Sequence, residues 1–163
     1  MPCRRRSQSF VLALFLSCAC ASRPDDSCGP ESAVVERVID GDTVELASGE
    51  RIRYLLVDTP ENTNGHVECF GPEAFERNRE LVEGRTVQLR YDVECRDRYG
   101  RALAYVSVGS REVNSRLISE GFACVLHVPP NGDDRAHEFQ SLEAAARQQK
   151  LGLWGACSEI PCN

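Results

Sequence analysis

Three short clusters combine acids, arginines and turn residues: Asp40-Gly41-Asp42-Thr43, residues 53–61 (RYLLVDTPE) and residues 97–101 (DRYGR). Taken singly, each has a purely structural explanation. Asp40-Gly41 is a hairpin turn, Asp58-Thr59-Pro60 ends a strand because proline cannot extend a ladder, and residues 97–101 are a solvated loop. The third cluster resists that explanation most. Tyr99 and Arg101 flank Gly100, and both suit phosphate recognition, since a planar guanidinium grips phosphate oxygens with two parallel hydrogen bonds. Phosphate chemistry is therefore the first expectation. None of the three clusters requires a nucleophilic side chain, and Cys124 near His127 reads as an incidental strand pair.

The elements that must position these residues follow from periodicity and turn signals. Residues 33–39, rich in Val and Ile, form a strand whose hairpin partner is Thr43–Leu46. A turn at Ser48-Gly49-Glu50 leads to a third strand over 51–57, and 61–70 is a polar loop. Pro72 opens a helix with Glu73 and Glu76 near its start, Ala74, Phe75, Leu81 and Val82 on its apolar face, and Gly84 as its stop. Strands over 86–91 and 102–108 are joined by the charged segment 92–101. A short helix over 113–120 ends at Gly121. Residues 122–128 are extended, Pro129-Pro130-Asn131-Gly132 breaks them, and Asp133 or Asp134 caps a last helix that runs to Gln149. Five strands in one small domain cannot cover both faces as an open sheet. Closure into a small barrel with helices over it is the expected α+β architecture.

Composition narrows the class. The chain has 163 residues, 42% hydrophobic and 27% charged, which suits one globular domain and excludes disorder or a polytopic membrane protein. Residues 1–21 read as an export signal: Arg4-Arg5-Arg6, the apolar run 10–16, then Ala19-Cys20-Ala21. Ser17-Cys18-Ala19-Cys20 also resembles a lipoprotein box, with Cys20 as the acylated residue of a membrane anchor. Residues 22–32 are a linker, 33–156 the folded domain and 157–163 a cysteine-containing tail. Losing Arg4, Arg5 and Arg6 with the signal moves the formal charge from −6 to −9, which argues against wrapping a polyanion by bulk charge. Cys28, Cys69, Cys95, Cys124, Cys157 and Cys162 survive cleavage, an even number that reads as disulfides in an exported, secreted or periplasmic chain. Zinc is disfavoured, because no C-x-x-C pair exists and His66, His127 and His137 lack ligand spacing.

In order and spacing, residues 38–44 (VIDGDTV), 55–61 (LLVDTPE) and 97–106 (DRYGRALAYV) resemble the staphylococcal (micrococcal) nuclease family. Val113-Asn114, Gly121-Phe122-Ala123 and residues 151–154 continue the likeness, which covers residues 33–154. The resemblance implies a five-stranded OB-fold barrel with about three helices. It further implies a monomeric calcium-dependent phosphodiesterase that acts on DNA and RNA, leaves 3′-phosphate ends and has no stable protein partner. Carried over by motif, Asp42 and Asp58 are the calcium carboxylates, Thr59 offers its backbone carbonyl, and Asp40 stands behind them. Arg53 and Arg101 match the phosphate-binding arginines, Glu61 the general base, and Arg98 and Tyr99 the contacts to a neighbouring phosphate. Those roles suit the residue types, since calcium is a hard cation that prefers oxygen ligands.

Two departures stand out. Where the family presents a tyrosine pair that holds base and sugar, this chain has His127 and Pro129, which weakens the expected base grip. The charge of −9 leaves substrate attraction to local arginines. If Glu61 and Arg101 meet one phosphate, the segments bearing Cys69 and Cys95 run near each other, so a Cys69–Cys95 disulfide is expected. Two other classes fit less well: a catalytically silent nuclease-like module binding nucleic acid or protein, and a secreted OB-type binder of oligosaccharide or protein.

Overall fold

The computed structural model describes residues 28–63 and 65–162. The expected export signal, Cys20 within it, and most of the expected linker lie outside the described residues. The element order is β1 (Ser32–Asp40), β2 (Thr43–Leu46), β3 (Arg51–Tyr54), the short strands β4 (Asn62–Thr63) and β5 (His66–Val67), and α1 (Gly71–Val82). There follow β6 (Thr86–Arg96), β7 (Ala102–Val108), β8 (Arg111–Glu112), α2 (Val113–Ser119), α3 (Ala136–Gln148) and the single turn α4 (Leu153–Ala156). No helix among the described residues is long and apolar enough to cross a membrane.

Strands pair in the order β3-β2-β1-β6-β7, and β3 also pairs with β7 in parallel, so five strands close into a ring. Closure satisfies both edges that an open sheet would expose. The ring with its covering helices is consistent with the expected OB-fold α+β class. Inward positions are apolar: Val35, Val44, Ile52, Val87, Ala104 and Val106 are fully buried. On α1 the buried stripe is Ala74, Asn78 and Val82, spaced by four, and it faces β1. Helix α2 packs Leu117 and Ile118 inward, and α3 brings the Phe139 ring to 6.2 Å from that of Tyr105.

Several boundaries differ from the sequence reading, each for a local reason. β3 stops at Tyr54, three residues early, because Leu56 adopts φ 62° and the Arg53 guanidinium takes the carbonyls of Tyr54 and Val57. β6 runs on to Arg96, since Arg96 still pairs with Ala102 across a bulge and Asn131 binds both the N–H and the C=O of Glu94. Of the extended run 122–128, only Cys124 is bridged, to Asp58. Helix α3 begins at Ala136 with Arg135 at its N-cap and no side-chain cap, so neither Asp133 nor Asp134 caps it, and Asp133 bonds His127 instead.

The cysteines correct the sequence expectation. Cys69 pairs with Cys157, Cys95 with Cys28, and Cys124 with Cys162, so the expected Cys69–Cys95 bridge does not form. The register explains it. Ser32 opposes Gln88 in the antiparallel β1–β6 pair, so the chain ahead of β1 runs alongside the second half of β6, and Cys28 arrives beside Cys95. Cys69 lies beyond the β4–β5 hairpin at the start of α1, where the end of α4 reaches it.

Candidate active site

The β1–β2 turn builds an acid corner. A Cβ at Gly41 would come within 2.6 Å of Thr59 Oγ1 and 2.8 Å of its Cβ, so only glycine lets the 58–60 segment lie on the turn. That approach lets Asp42 Oδ2 accept hydrogen bonds from the Thr59 N–H at 3.0 Å and the Thr59 hydroxyl at 3.1 Å. Asp42 Oδ1 accepts from the Thr43 hydroxyl at 2.9 Å. Asp40 and Asp42 are both buried. Burial pushes the Asp40 carboxyl up to about 7; the Asp42 charge and the neighbouring Glu61 carboxyl add to the rise, and the Gly41 N–H opposes it.

Arg53 joins the two halves of this corner. β2–β3 pairing sets it opposite Thr43, and its guanidinium lies 3.1 Å from Asp42 Oδ2 and 3.1 Å from Asp58 Oδ1. Asp58 arrives because the Leu56 turn folds the chain back after β3. Its N–H then donates to the Cys124 carbonyl at 2.9 Å and its carbonyl accepts from the Cys124 N–H at 2.8 Å. Glu61 sits at the outer edge beside Asp40. Its carboxylate accepts from the Thr63 hydroxyl at 3.0 Å, and its backbone N–H and C=O both bond Glu68.

The second arginine comes from the β6–β7 connection. Asp97 organises this loop by accepting from the N–H groups of Tyr99 and Arg101 at 2.9 and 3.0 Å, and from Arg101 Nε at 2.7 Å. Burial would raise the Asp97 carboxyl, but the Arg101 side chain and the two backbone donors outweigh it and hold it below its ordinary 3.8. Parallel pairing sets Arg53 against Leu103, two residues after Arg101, so the two arginines line one cleft of about 510 Å³. Arg98 and Tyr99 line it too, and both guanidiniums lean on the Tyr99 ring, at 4.8 Å (Arg98) and 5.5 Å (Arg101). On the far wall the lining residues are Leu126 and Val128, while His127 between them bonds Asp133.

The structure thus brings together Asp40, Asp42, Arg53, Asp58, Thr59 and Glu61, and sets Arg98, Tyr99 and Arg101 on the adjoining cleft through Arg53. His127 is not among the residues that line this cleft, and Cys69 and Cys95 pair with Cys157 and Cys28 instead of with each other. Several supports were missed. Asn78 Nδ2 donates to the Asp40 carbonyl at 3.1 Å and its Oδ1 accepts from the Tyr54 hydroxyl at 2.9 Å, tying α1 to the acid corner. Asn114 Oδ1 accepts from the Val106 N–H at 2.8 Å and its Nδ2 donates to the Leu55 carbonyl at 2.9 Å, holding the start of the Leu56 turn. The signal for Asn78 was present, as an amide on the apolar stripe between Ala74 and Val82.

The profile of the family described as "Staphylococcal nuclease homologue" matches residues 51–156. The chain belongs to the staphylococcal nuclease family. Among curated relatives, endonuclease YncB of Bacillus subtilis (strain 168) is 39% identical over 129 residues, 76% of this chain and 61% of that protein. The SPbeta prophage-derived endonuclease YokF of the same organism is 38% identical over 126 residues, 74% of this chain and 43% of its own length. A thermonuclease of Staphylococcus intermedius is 39% identical over 129 residues, 76% of each chain. The chain therefore spans less than two thirds of the length of each of the two Bacillus relatives. The family match takes in Arg53, Asp58, Thr59, Glu61, Arg98, Tyr99 and Arg101, and it begins after the Asp40–Asp42 turn.

The donor chemistry of the corner fits a hard cation. Among the described residues no cluster of three or more His, Cys, Asp or Glu is arranged to hold a metal. The corner instead offers the carboxylate oxygens of Asp42 and Asp58, with the Arg53 guanidinium between them. Asp42 and Asp58 share the single Arg53 guanidinium, so this pair of carboxylates carries more formal negative charge than that arginine offsets.

Proposed function

We propose that this protein is an exported, calcium-dependent phosphodiesterase that hydrolyses DNA and RNA and leaves 3′-phosphate ends. The observation that carries the reading is the Arg53 bridge. One guanidinium spans Asp42 and Asp58 at 3.1 Å each while lining the same cleft as Arg101. Family membership and relatives named as endonucleases support the reaction class, and three disulfides support export.

Asp42, Asp58 and the Thr59 carbonyl would hold calcium, which supplies positive charge that polarises the phosphoryl group. The chain's own residues do the rest. Arg53 and Arg101 bind the phosphate and meet charge that grows on its oxygens; fixed donors stabilise a transition state most effectively there. Arg98 and Tyr99 hold the next phosphate of the strand. Glu61, at the exposed edge of the corner, takes the proton from the attacking water. With a charge of −9 after export, substrate capture rests on these arginines and falls steeply with salt.

Digestion of single-stranded DNA, duplex DNA and RNA, with calcium and with chelator, tests the reading. Calcium-dependent products with 3′-phosphate ends are expected. Bound but intact DNA in calcium would mark a silent binding module instead.

A further inference from the structure

The disulfides are unevenly placed. Two of the three leave from the short C-terminal segment 157–162: Cys157 to Cys69 and Cys162 to Cys124. Residues 158–162 belong to neither helix nor strand, so covalent links fix this segment where a hydrogen-bonded ladder does not. Both links land next to groups of the candidate site.

The first landing point is Asp58. Ring pairing has stopped at Tyr54, and what holds Asp58 in place on the backbone side is an isolated bridge, its N–H and C=O exchanging bonds of 2.9 and 2.8 Å with Cys124. A two-bond bridge outside a ladder opens easily. Cys124 is itself cross-linked to Cys162, and the Cys162 sulfur lies 3.8 Å from the Asp58 carbonyl oxygen. A disulfide sulfur carries no proton, so this is a packing contact that closes the space beside Asp58.

The second landing point is Glu61. It lies in the segment between the Leu56 turn and α1, and its backbone is held by Glu68 through Glu61 N–H to Glu68 Oε2 at 2.9 Å and Glu68 N–H to Glu61 O at 2.9 Å. Cys69 follows Glu68 directly and is tied to Cys157. Gly71 packs so closely on the Glu61 carbonyl that a Cβ there would clash with it. Cys28–Cys95 is different in kind. It joins the lead-in of β1 to the end of β6 and reaches neither Asp58 nor Glu61.

We propose that the C-terminal tail is a two-point clamp that positions Asp58 through Cys124 and Glu61 through Cys69, so that residues 157–162 help to set the calcium affinity of the site. This rests on the functional reading above. Cys124 and Cys69 are positioning residues, acting through the backbone of the groups that touch metal or water. Losing such outer support typically weakens metal binding by about 10–100-fold.

The test compares three paired variants of the mature protein: Cys124→Ala with Cys162→Ala, Cys69→Ala with Cys157→Ala, and Cys28→Ala with Cys95→Ala. Each loses one disulfide and leaves no free thiol, and each is expected to melt at a lower temperature. Two readouts separate clamp from staple: calcium affinity by titration of calcium alone, and amide hydrogen exchange at Asp58 and Glu61. The first pair is expected to bind calcium about tenfold more weakly and to exchange the Asp58 amide faster. The second is expected to speed exchange at Glu61, and the Cys28/Cys95 pair to match wild type in both readouts. If either clamp pair fails to fold, the other carries the test. Wild-type calcium affinity and wild-type exchange in a clamp pair, or an equal loss in the Cys28/Cys95 pair, overturns the clamp. Absence of calcium binding in the wild-type protein overturns the functional reading instead. The exchange data then decide the clamp alone: it stands if Asp58 or Glu61 protection drops and falls if it does not.

Discussion

The strand ring and its rim are held together by different physics. In the ring, Val35, Val44, Ile52, Val87 and Ala104 are fully buried, and adjacent strands are joined by backbone ladders. At the rim, Asp42, Arg53, Asp58 and Arg101 are held by ion pairs, by a two-bond bridge and by side chains that bind backbone. Each disulfide joins segments outside the ring's central ladder, or at its ends. The buried interior is therefore the main source of stability, while the rim keeps close carboxyls such as Asp40 and Asp42 in place at some cost. Substitutions should sort accordingly: apolar ring changes move chiefly the melting temperature, and changes to the acids of the corner move chiefly turnover.

The largest effect is expected at the rim. Glu61→Gln keeps the shape and removes the proposed base, so turnover should fall by ~10²–10⁴ with little change in melting temperature. Steady-state rates at saturating substrate check it, and a wild-type rate would remove Glu61 from the chemistry. The mirror-image change is Leu46→Ala in β2, 1% exposed in the ring. It should cost about 2–5 kcal/mol of stability while the folded protein turns over normally. Denaturant unfolding beside kcat measures both, and a matched loss in each would blur the distinction between ring and rim.

Sequence legibility divides along the same line. β2 and β7 were read to the residue and α1 to within one residue at its start, because alternation, Pro72 and Gly84 act locally. The acid and arginine positions were legible as ordered motifs, although what joins them was not. The Arg53 bridge depends on the left-handed turn at Leu56, and no residue-type preference announces a leucine at φ 62°. Disulfide pairing failed for the same kind of reason. Cys28 meets Cys95 through the β1–β6 register, a contact between segments 67 residues apart that composition cannot encode. His127 was placed by motif alignment alone, and the geometry gives the cleft wall to its neighbours Leu126 and Val128.

Val128 is 62% exposed and lines the cleft, so Val128→Tyr should lower KM by adding a stacking surface, worth about 1–3 kcal/mol per base. His127→Tyr should leave KM unchanged. The reverse pattern would restore His127 as the base platform.

The smallest expected effect belongs to Asp97. Its folded carboxyl is held below 3.8, so the stability it contributes is fully present above that value and is lost as pH falls through the folded value. Asp97→Asn should therefore lower the melting temperature slightly at neutral pH and flatten the acid limb of a melting-versus-pH curve. An unchanged acid limb would mean that the Asp97–Arg101 pair does not order the loop.

If Asp42 and Asp58 form one cation site with Arg53 between them, the calcium-activation curve of DNA cleavage must change in Asp42→Ala. Circular dichroism is used to confirm that the ring is intact. Half-activation is expected to shift to much higher calcium, together with reduced maximal turnover. A variant that cleaves at the wild-type rate, with the wild-type calcium requirement or in chelator, would contradict it.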